Sequence, residues 1–158
     1  MHRNRAISST HEMYLKALHE ARGDRGVARV SDLAKRLDVS AGTVSSVLKK
    51  LEQMHLVQHE RYGLVALTPD GSGIAECVLH RYETIHALLT EVLGVDETTA
   101  AVDACMMEHA VSSSTIARMQ QLVKQQREHR VRLRLPRAGA GEDLCAGCES
   151  LGVCRASG

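Results

Sequence analysis

The sequence predicts a mainly α chain: an N-terminal winged helix-turn-helix with a small β-hairpin, followed by a helical domain. Three observations predict it. Across residues 31–67, helix-period and strand-period hydrophobic patterns follow one another as helix, turn, helix and hairpin. Across residues 72–123, apolar residues recur at helical spacing in three blocks, broken by Gly94 and by the serines at 112–114. The 158 residues include no Phe, no Trp and only three Tyr, so the core must be Leu, Val, Ile, Ala and Met, which suits packed helices.

Residues 1–6 are polar and basic. Ser8, Ser9 and Thr10 offer an N-cap, with Glu12 in the first turn, for a helix over residues 11–21. Its stripe is Tyr14, Leu15 and Leu18, with Ala17 and Ala21 small enough for close packing. The segment around Gly23 and Gly26 ends it, and residues 27–30 form a short extended lead. Ser31 then caps a helix that places Leu33, Ala34 and Leu37 on one face. After a break at residues 38–42, a second helix runs from about Thr43 to His55, with Val44, Val47, Leu48, Leu51 and Met54 at helical spacing. Residues 56–61 alternate apolar and polar, Tyr62-Gly63 supplies a turn, and residues 64–67 are β-prone, which reads as a two-stranded wing.

Two helices joined by so short a turn can set the second into a DNA major groove. Ser40 in the turn and Thr43, Ser45, Ser46, Lys49 and Lys50 on the outward face supply small hydroxyls near the helix N-terminus and cations further along. These suit base edges and phosphates. Arg61 at the wing tip, with His59 and Tyr62, is placed to follow the phosphate backbone. The competing reading is a plain three-helix core with a solvated cationic face; the ordered run of helix, turn, helix and hairpin favours DNA.

Beyond the wing, residues 68–71 form a turn and a helix start, and a long helix spans about 72–93. Its apolar face holds Ile74, Val78, Leu79, Tyr82, Ile85, Leu88, Leu89, Val92 and Leu93, with Cys77 read as a small apolar core residue. Asp96 caps a helix over 97–109, and the serines at 112–114 cap another containing Ile116, Met119, Leu122 and Val123. These helices are too few to bury their stripes alone, so a homodimer is expected, whose two-fold symmetry would match palindromic double-stranded operator DNA. From Gln125 the periodicity fades into a basic linker and a Gly-rich tail. The organisation is therefore 1–70 for the DNA-binding unit, 71–126 for helical dimerisation, and 127–158 for linker and tail.

Charge follows this division. Residues 1–70 carry eleven Lys/Arg against eight Asp/Glu, residues 71–126 three against seven, and residues 127–158 six against four, within a net charge of +1. A basic front and an acidic centre suit nucleic acid at one end and a cation or self-association in the middle. No stretch is long and apolar enough for a membrane span and no signal-peptide pattern opens the chain, so a cytoplasmic protein without a membrane partner is expected. In a reducing compartment five cysteines point to metal or redox chemistry.

Two clusters could carry that chemistry. Cys105, Glu108 and His109 stand at i, i+3 and i+4, so one helix face offers a thiolate, a carboxylate and an imidazole to a divalent transition metal. Taken alone, the pattern is a weak signal and more often marks a partly buried Cys beside a surface Glu–His pair. In the tail, Cys145, Cys148 and Cys154 form C-x2-C-x5-C in a segment with almost nothing to pack. An iron–sulfur cluster or Zn, with a fourth ligand from elsewhere, would explain three thiols there; a reversible disulfide and an inert tail are the alternatives. No nucleophile–base pair or phosphate-cradling glycine loop points to an enzyme.

Over roughly residues 10–122 the chain resembles the diphtheria toxin repressor / manganese transport regulator (DtxR/MntR) family. The resemblance is carried by HEMYLKAL, ARVSDLAKRLDVSAGTVSSVLKKLEQMHLV, GLVALTPDG, ACMMEH and SSSTIARM, in matching order and spacing. It implies a metal-activated homodimeric repressor that binds operators of metal-homeostasis genes. It carries the principal metal site onto Met13, Cys105, Glu108 and His109. Met and Cys at these positions resemble the iron-responsive branch and favour Fe(II), with Mn(II), Co(II) or Ni(II) able to bind in vitro. Lys16 stands where the manganese branch has a further carboxylate, which argues against a binuclear manganese site. The family's ancillary ligands fall on Tyr82, His86 and Ala101, so that second site is not expected in its usual form; a substitute from His86 with His80 or Glu83 is the less favoured reading beside ordinary helix-surface histidines. The family's SH3-like domain is not expected here, and the cysteine tail is read in its place. Two other readings follow from that tail: an iron–sulfur-dependent iron or redox sensor on the same DNA-binding fold, and a thiol–disulfide or electron-transfer protein.

Overall fold

The computed structural model describes residues 7–23 and 25–129. In chain order these form α1 (Ser9–Ala21), β1 (Val27–Arg29), α2 (Val30–Arg36), α3 (Ala41–Gln53), β2 (Val57–His59), β3 (Leu64–Leu67), α4 (Pro69–Ala87), α5 (Glu97–Met107) and α6 (Ser113–His129). A tight turn, Arg61–Gly63, joins β2 to β3, and a π-turn, Leu88–Val92, extends α4. The mainly α fold with a winged helix-turn-helix followed by a helical domain is as expected.

The helix starts follow local capping chemistry. Ser8, Ser40, Thr68 and Asp96 each accept a hydrogen bond from a backbone N–H in the first turn of α1, α3, α4 and α5. Ser112 does the same for α6, accepting from the Thr115 N–H at 3.3 Å. The helix α2 departs from expectation: it starts at Val30, directly out of β1, with no side-chain cap, so Ser31 is inside it. The helix α4 starts three residues before the expected Ser72, because Thr68 is the cap and Pro69 suits a first helical position. The helix α6 runs on to His129, into the stretch whose fading periodicity suggested a linker.

The wing has a third strand. β1 pairs antiparallel with β3 (Val27 opposite Ala66, Arg29 opposite Leu64), and β3 pairs with β2 (Val57 opposite Leu67, His59 opposite Val65). Three residues of extended lead are too short for a periodicity signal; only the tertiary approach of β3 makes them a strand. At the wing tip Tyr62 and Gly63 both have positive φ (63° and 70°), the combination that suits the twist of a tight hairpin.

Two apolar cores result. The first holds Tyr14, Leu15, Leu18, Leu33, Val44, Leu48, Leu51, Val57 and Val65, uniting α1, α2, α3 and the wing. The second holds Ile85, Leu89, Ala100, Ala104 and Ile116, with Tyr82, Met107 and Met119 packed against it. The helix α1 lies along α4 and connects them. The junction of wing and α4 is unusually tight: the Thr68 N–H donates to the Leu56 carbonyl (3.1 Å), and the Thr68 hydroxyl donates to the His55 carbonyl (2.9 Å). Cys77 is exposed rather than core, because it falls between the buried stripe positions Ala75 and Val78. Among the described residues no helix is long and apolar enough to cross a membrane.

Candidate metal centre and nucleic-acid interface

The end of α5 meets the middle of α1. Glu108, the C-cap residue of α5, is 1% exposed. The Lys16 ammonium reaches it from α1 and donates to both carboxylate oxygens, at 3.0 and 2.7 Å. His109 lies between two carboxylates: its Nε2 is 3.3 Å from Glu108 Oε1 and its Nδ1 is 2.8 Å from Glu12 Oε2. Arg81 on α4 approaches Glu12 at 3.9 Å. The Lys16 ammonium also stands 3.9 Å from the centre of the Tyr82 ring, and Tyr82 stacks on His86. Burial pushes the Glu108 carboxyl above its ordinary pKa, and the charges of Lys16 and His109 oppose that rise.

Of the four expected ligands, the structure brings Glu108 and His109 together. Met13 and Cys105 are exposed on the same two helices and take no part in the hydrogen-bonded network around Glu108 among the described residues. Among those residues no three His, Cys, Asp or Glu side chains are arranged to hold a metal as they stand. The physical reason is visible. Lys16 occupies the carboxylate, and Glu12 occupies the imidazole. The donor types nonetheless fit a divalent cation, since Glu108 is a buried anion already selecting a positive charge.

Sequence reasoning missed Glu12 and Arg81 as members of this cluster; it set Lys16 at the position of a family carboxylate but not in an ion pair with Glu108. A signal was present: Glu12 and Lys16 are four residues apart, so they share a face of α1 beside Met13. At the expected ancillary positions, His86 pairs with Glu97 at 3.2 Å rather than with His80 or Glu83. Those two residues line a separate cleft of about 720 Å³ between α4 and α6, with Gln120 and Lys124. The tail residues Cys145, Cys148 and Cys154 lie outside the described residues.

On α3, Val44, Leu48 and Leu51 are fully buried, and Thr43, Ser45, Ser46, Lys49 and Lys50 are exposed on the other side. Two hydroxyls are partly committed to the helix itself. Ser40 caps it, accepting from the Thr43 N–H at 3.1 Å, and Ser45 donates to the Ala41 carbonyl at 2.9 Å. Ser46, Lys49 and Lys50 keep their polar ends outward. Arg61 stands in the turn at the wing tip; its side chain lies outside the described residues.

Comparison with known families decides what this architecture is. Residues 6–65 match the iron-dependent repressor N-terminal DNA-binding domain, and residues 68–131 match the iron-dependent repressor metal-binding and dimerisation domain. The chain belongs to the DtxR/MntR family of metal-dependent transcriptional repressors. It is 31% identical over 122 residues to the HTH-type transcriptional regulator MntR of Shouchella clausii, covering 77% of this chain and 85% of that protein. An uncharacterized HTH-type transcriptional regulator of Methanocaldococcus jannaschii is 36% identical over 91 residues, 58% of this chain and 73% of the relative. Among solved structures, a manganese-dependent transcriptional repressor in complex with manganese superposes with a TM-score of 0.64 at 31% identity, covering 72% of this chain. This DtxR/MntR chain spans about half of that structure, 52% of its length. These domains are those of transcriptional regulators, not of enzymes.

Proposed function

We propose that this protein is a metal-dependent transcriptional repressor of metal-homeostasis genes, a cytoplasmic homodimer that binds palindromic operator DNA. The observation that carries the reading is the contact between the two units: Glu108 and His109 on the C-terminal end of α5 hold Lys16 and Glu12 of α1. That helix is part of the first core, together with α3. Whatever changes the charge at Glu108 therefore acts on the placement of the DNA-reading helix.

Residues 1–70 form the DNA-binding unit and residues 71–126 the dimerising, metal-binding unit. Met13, Cys105, Glu108 and His109 are the metal ligands. Their two sulfur donors favour Fe(II) over Mn(II). A bound divalent cation would supply a positive charge between α1 and α5 and could act only through its differential affinity for the DNA-competent arrangement. Ser40, Thr43, Ser45, Ser46, Lys49, Lys50 and Arg61 face the DNA, with the lysines on phosphates. Val102, Met106 and Leu122, all exposed apolar side chains on α5 and α6, support self-association.

The test uses the full chain and a fluorescent duplex selected from a random library in the presence of Fe(II) under anaerobic conditions. Metal should strengthen binding of the wild type, and Glu108→Ala combined with His109→Ala should remove that stimulation. Equal affinity with and without metal in the wild type refutes the reading.

A further inference from the structure

We propose that Lys16 is a resident cation of the candidate metal centre: its ammonium holds Glu108 while no metal is bound, and a metal must displace it to use that carboxylate. The inference rests on the metal-binding reading above and adds its regulation. Lys16 would set the metal concentration at which the protein responds.

Four observations carry it. Glu108 is the most enclosed charged side chain among the described residues, and a buried carboxylate without a cation nearby is strongly unfavourable. It sits at the C-terminal end of α5, where the helix presents carbonyl oxygens and a negative potential, so the demand for a cation is greater still. Lys16 meets that demand with bonds to both oxygens. The Lys16 side chain is 12% exposed, and its ammonium rests on the face of Tyr82, which replaces part of its lost hydration. The carboxylate lone pairs that would coordinate a metal are thus engaged by an ammonium of the same chain. A metal and Lys16 cannot both hold Glu108 without two cations lying within a few ångströms of each other.

An ion pair serving stability alone makes a different prediction from a competitor. Removal of a purely structural lysine loosens the site and leaves metal affinity unchanged or weaker. Removal of a competing cation makes metal bind more tightly even though the metal-free protein is weaker.

The experiment titrates metal-free full-length protein with Co(II) by calorimetry, following the visible bands of the bound ion as a second readout. Lys16→Gln should tighten the Co(II) dissociation constant by about tenfold. Lys16→Arg should stay near wild type. Metal-free Lys16→Gln should melt below wild type, and saturating Co(II) should narrow that gap. Should Lys16→Gln fail to fold, Tyr82→Leu takes its place: it keeps the lysine, removes the ring that steadies it, and should tighten Co(II) binding severalfold. Unchanged or weaker Co(II) binding in the folded variant, beside a wild type that binds, overturns this inference alone. A wild type that takes up no Co(II), Fe(II) or Mn(II) overturns the metal-dependent reading and this inference with it.

Discussion

Replacing Gly71 by Ala tests the close approach that joins the wing to α4. Helix propensity by itself favours Ala over Gly by about 1 kcal/mol in a helix interior. The tertiary structure reverses the sign. A Cβ at Gly71 would lie 1.9 Å from the Leu56 carbonyl oxygen and 2.9 Å from its carbon. Both are backbone atoms, so no side-chain rotation relieves the contact. The oxygen must retreat by about 1.1 Å merely to reach 3.0 Å, the closest distance real Cβ atoms tolerate. That oxygen is also held by the Thr68 N–H, so the movement strains the α4 cap. Overpacking of this kind costs about 3 kcal/mol, which outweighs the propensity gain and leaves a net loss of about 2 kcal/mol. In a chain of this size that lowers Tm by about 4–8 °C. Gly73 is the control: it lies in the same helix, and an added Cβ meets nothing within 4 Å. Gly73→Ala should raise Tm slightly. Thermal and urea denaturation of the two variants against wild type measure the difference. Equal stability of Gly71→Ala and Gly73→Ala would refute the reasoning.

Three further outcomes are expected. Lys49→Ala with Lys50→Ala should weaken binding to all duplexes by a similar factor and reduce the salt dependence of log K, because both side chains point outward where phosphates would lie; a change in sequence preference alone would contradict this assignment. Met13→Asp with Cys105→Glu should move metal preference from Fe(II) toward Mn(II), read by competitive calorimetry; an unaltered preference would remove both positions from the ligand set. Asp96 caps α5 by accepting from the Thr99 N–H, and that bond holds its carboxyl below the ordinary value. A depressed folded pKa means the cap's contribution is present above the unfolded value and is lost as pH falls through the folded one. Acid should therefore destabilise wild type through this residue, whereas Asp96→Asn, which keeps an acceptor but cannot titrate, should show a flatter stability profile in that window. An unchanged profile would show that the cap does not contribute.

The helix-turn-helix was legible because α3 is amphipathic: Val44, Leu48 and Leu51 recur at helical spacing, and burial follows that spacing. The turn at Tyr62-Gly63 is a local signal as well, whereas Ser40, read as a turn residue, proves to be the cap of α3. The third strand was not legible, since residues 27–29 are too few to show a period and pair only with a distant segment. Cys77 was misplaced because composition says small and apolar residues are buried, while the face it occupies on α4 points outward. At the candidate site, the spacing of Cys105, Glu108 and His109 marked one helix face. It carried no information on what α1 would place against that face.

The order of the helices, the apolar stripes, the caps at Ser8, Asp96 and Ser112 and the motif strings that mark the family are all properties of neighbours along the chain, and the amino-acid sequence alone determined them. The partners of Glu108 and His109 are a different matter. Lys16 and Glu12 stand 92 and 97 residues away from them. Their meeting depends on α1 lying along α4 and on α5 ending against both. Burial then makes an ammonium at Glu108 necessary, because in water that carboxylate would need none. Only packing in three dimensions decided that the charge a metal would supply is already provided by the chain.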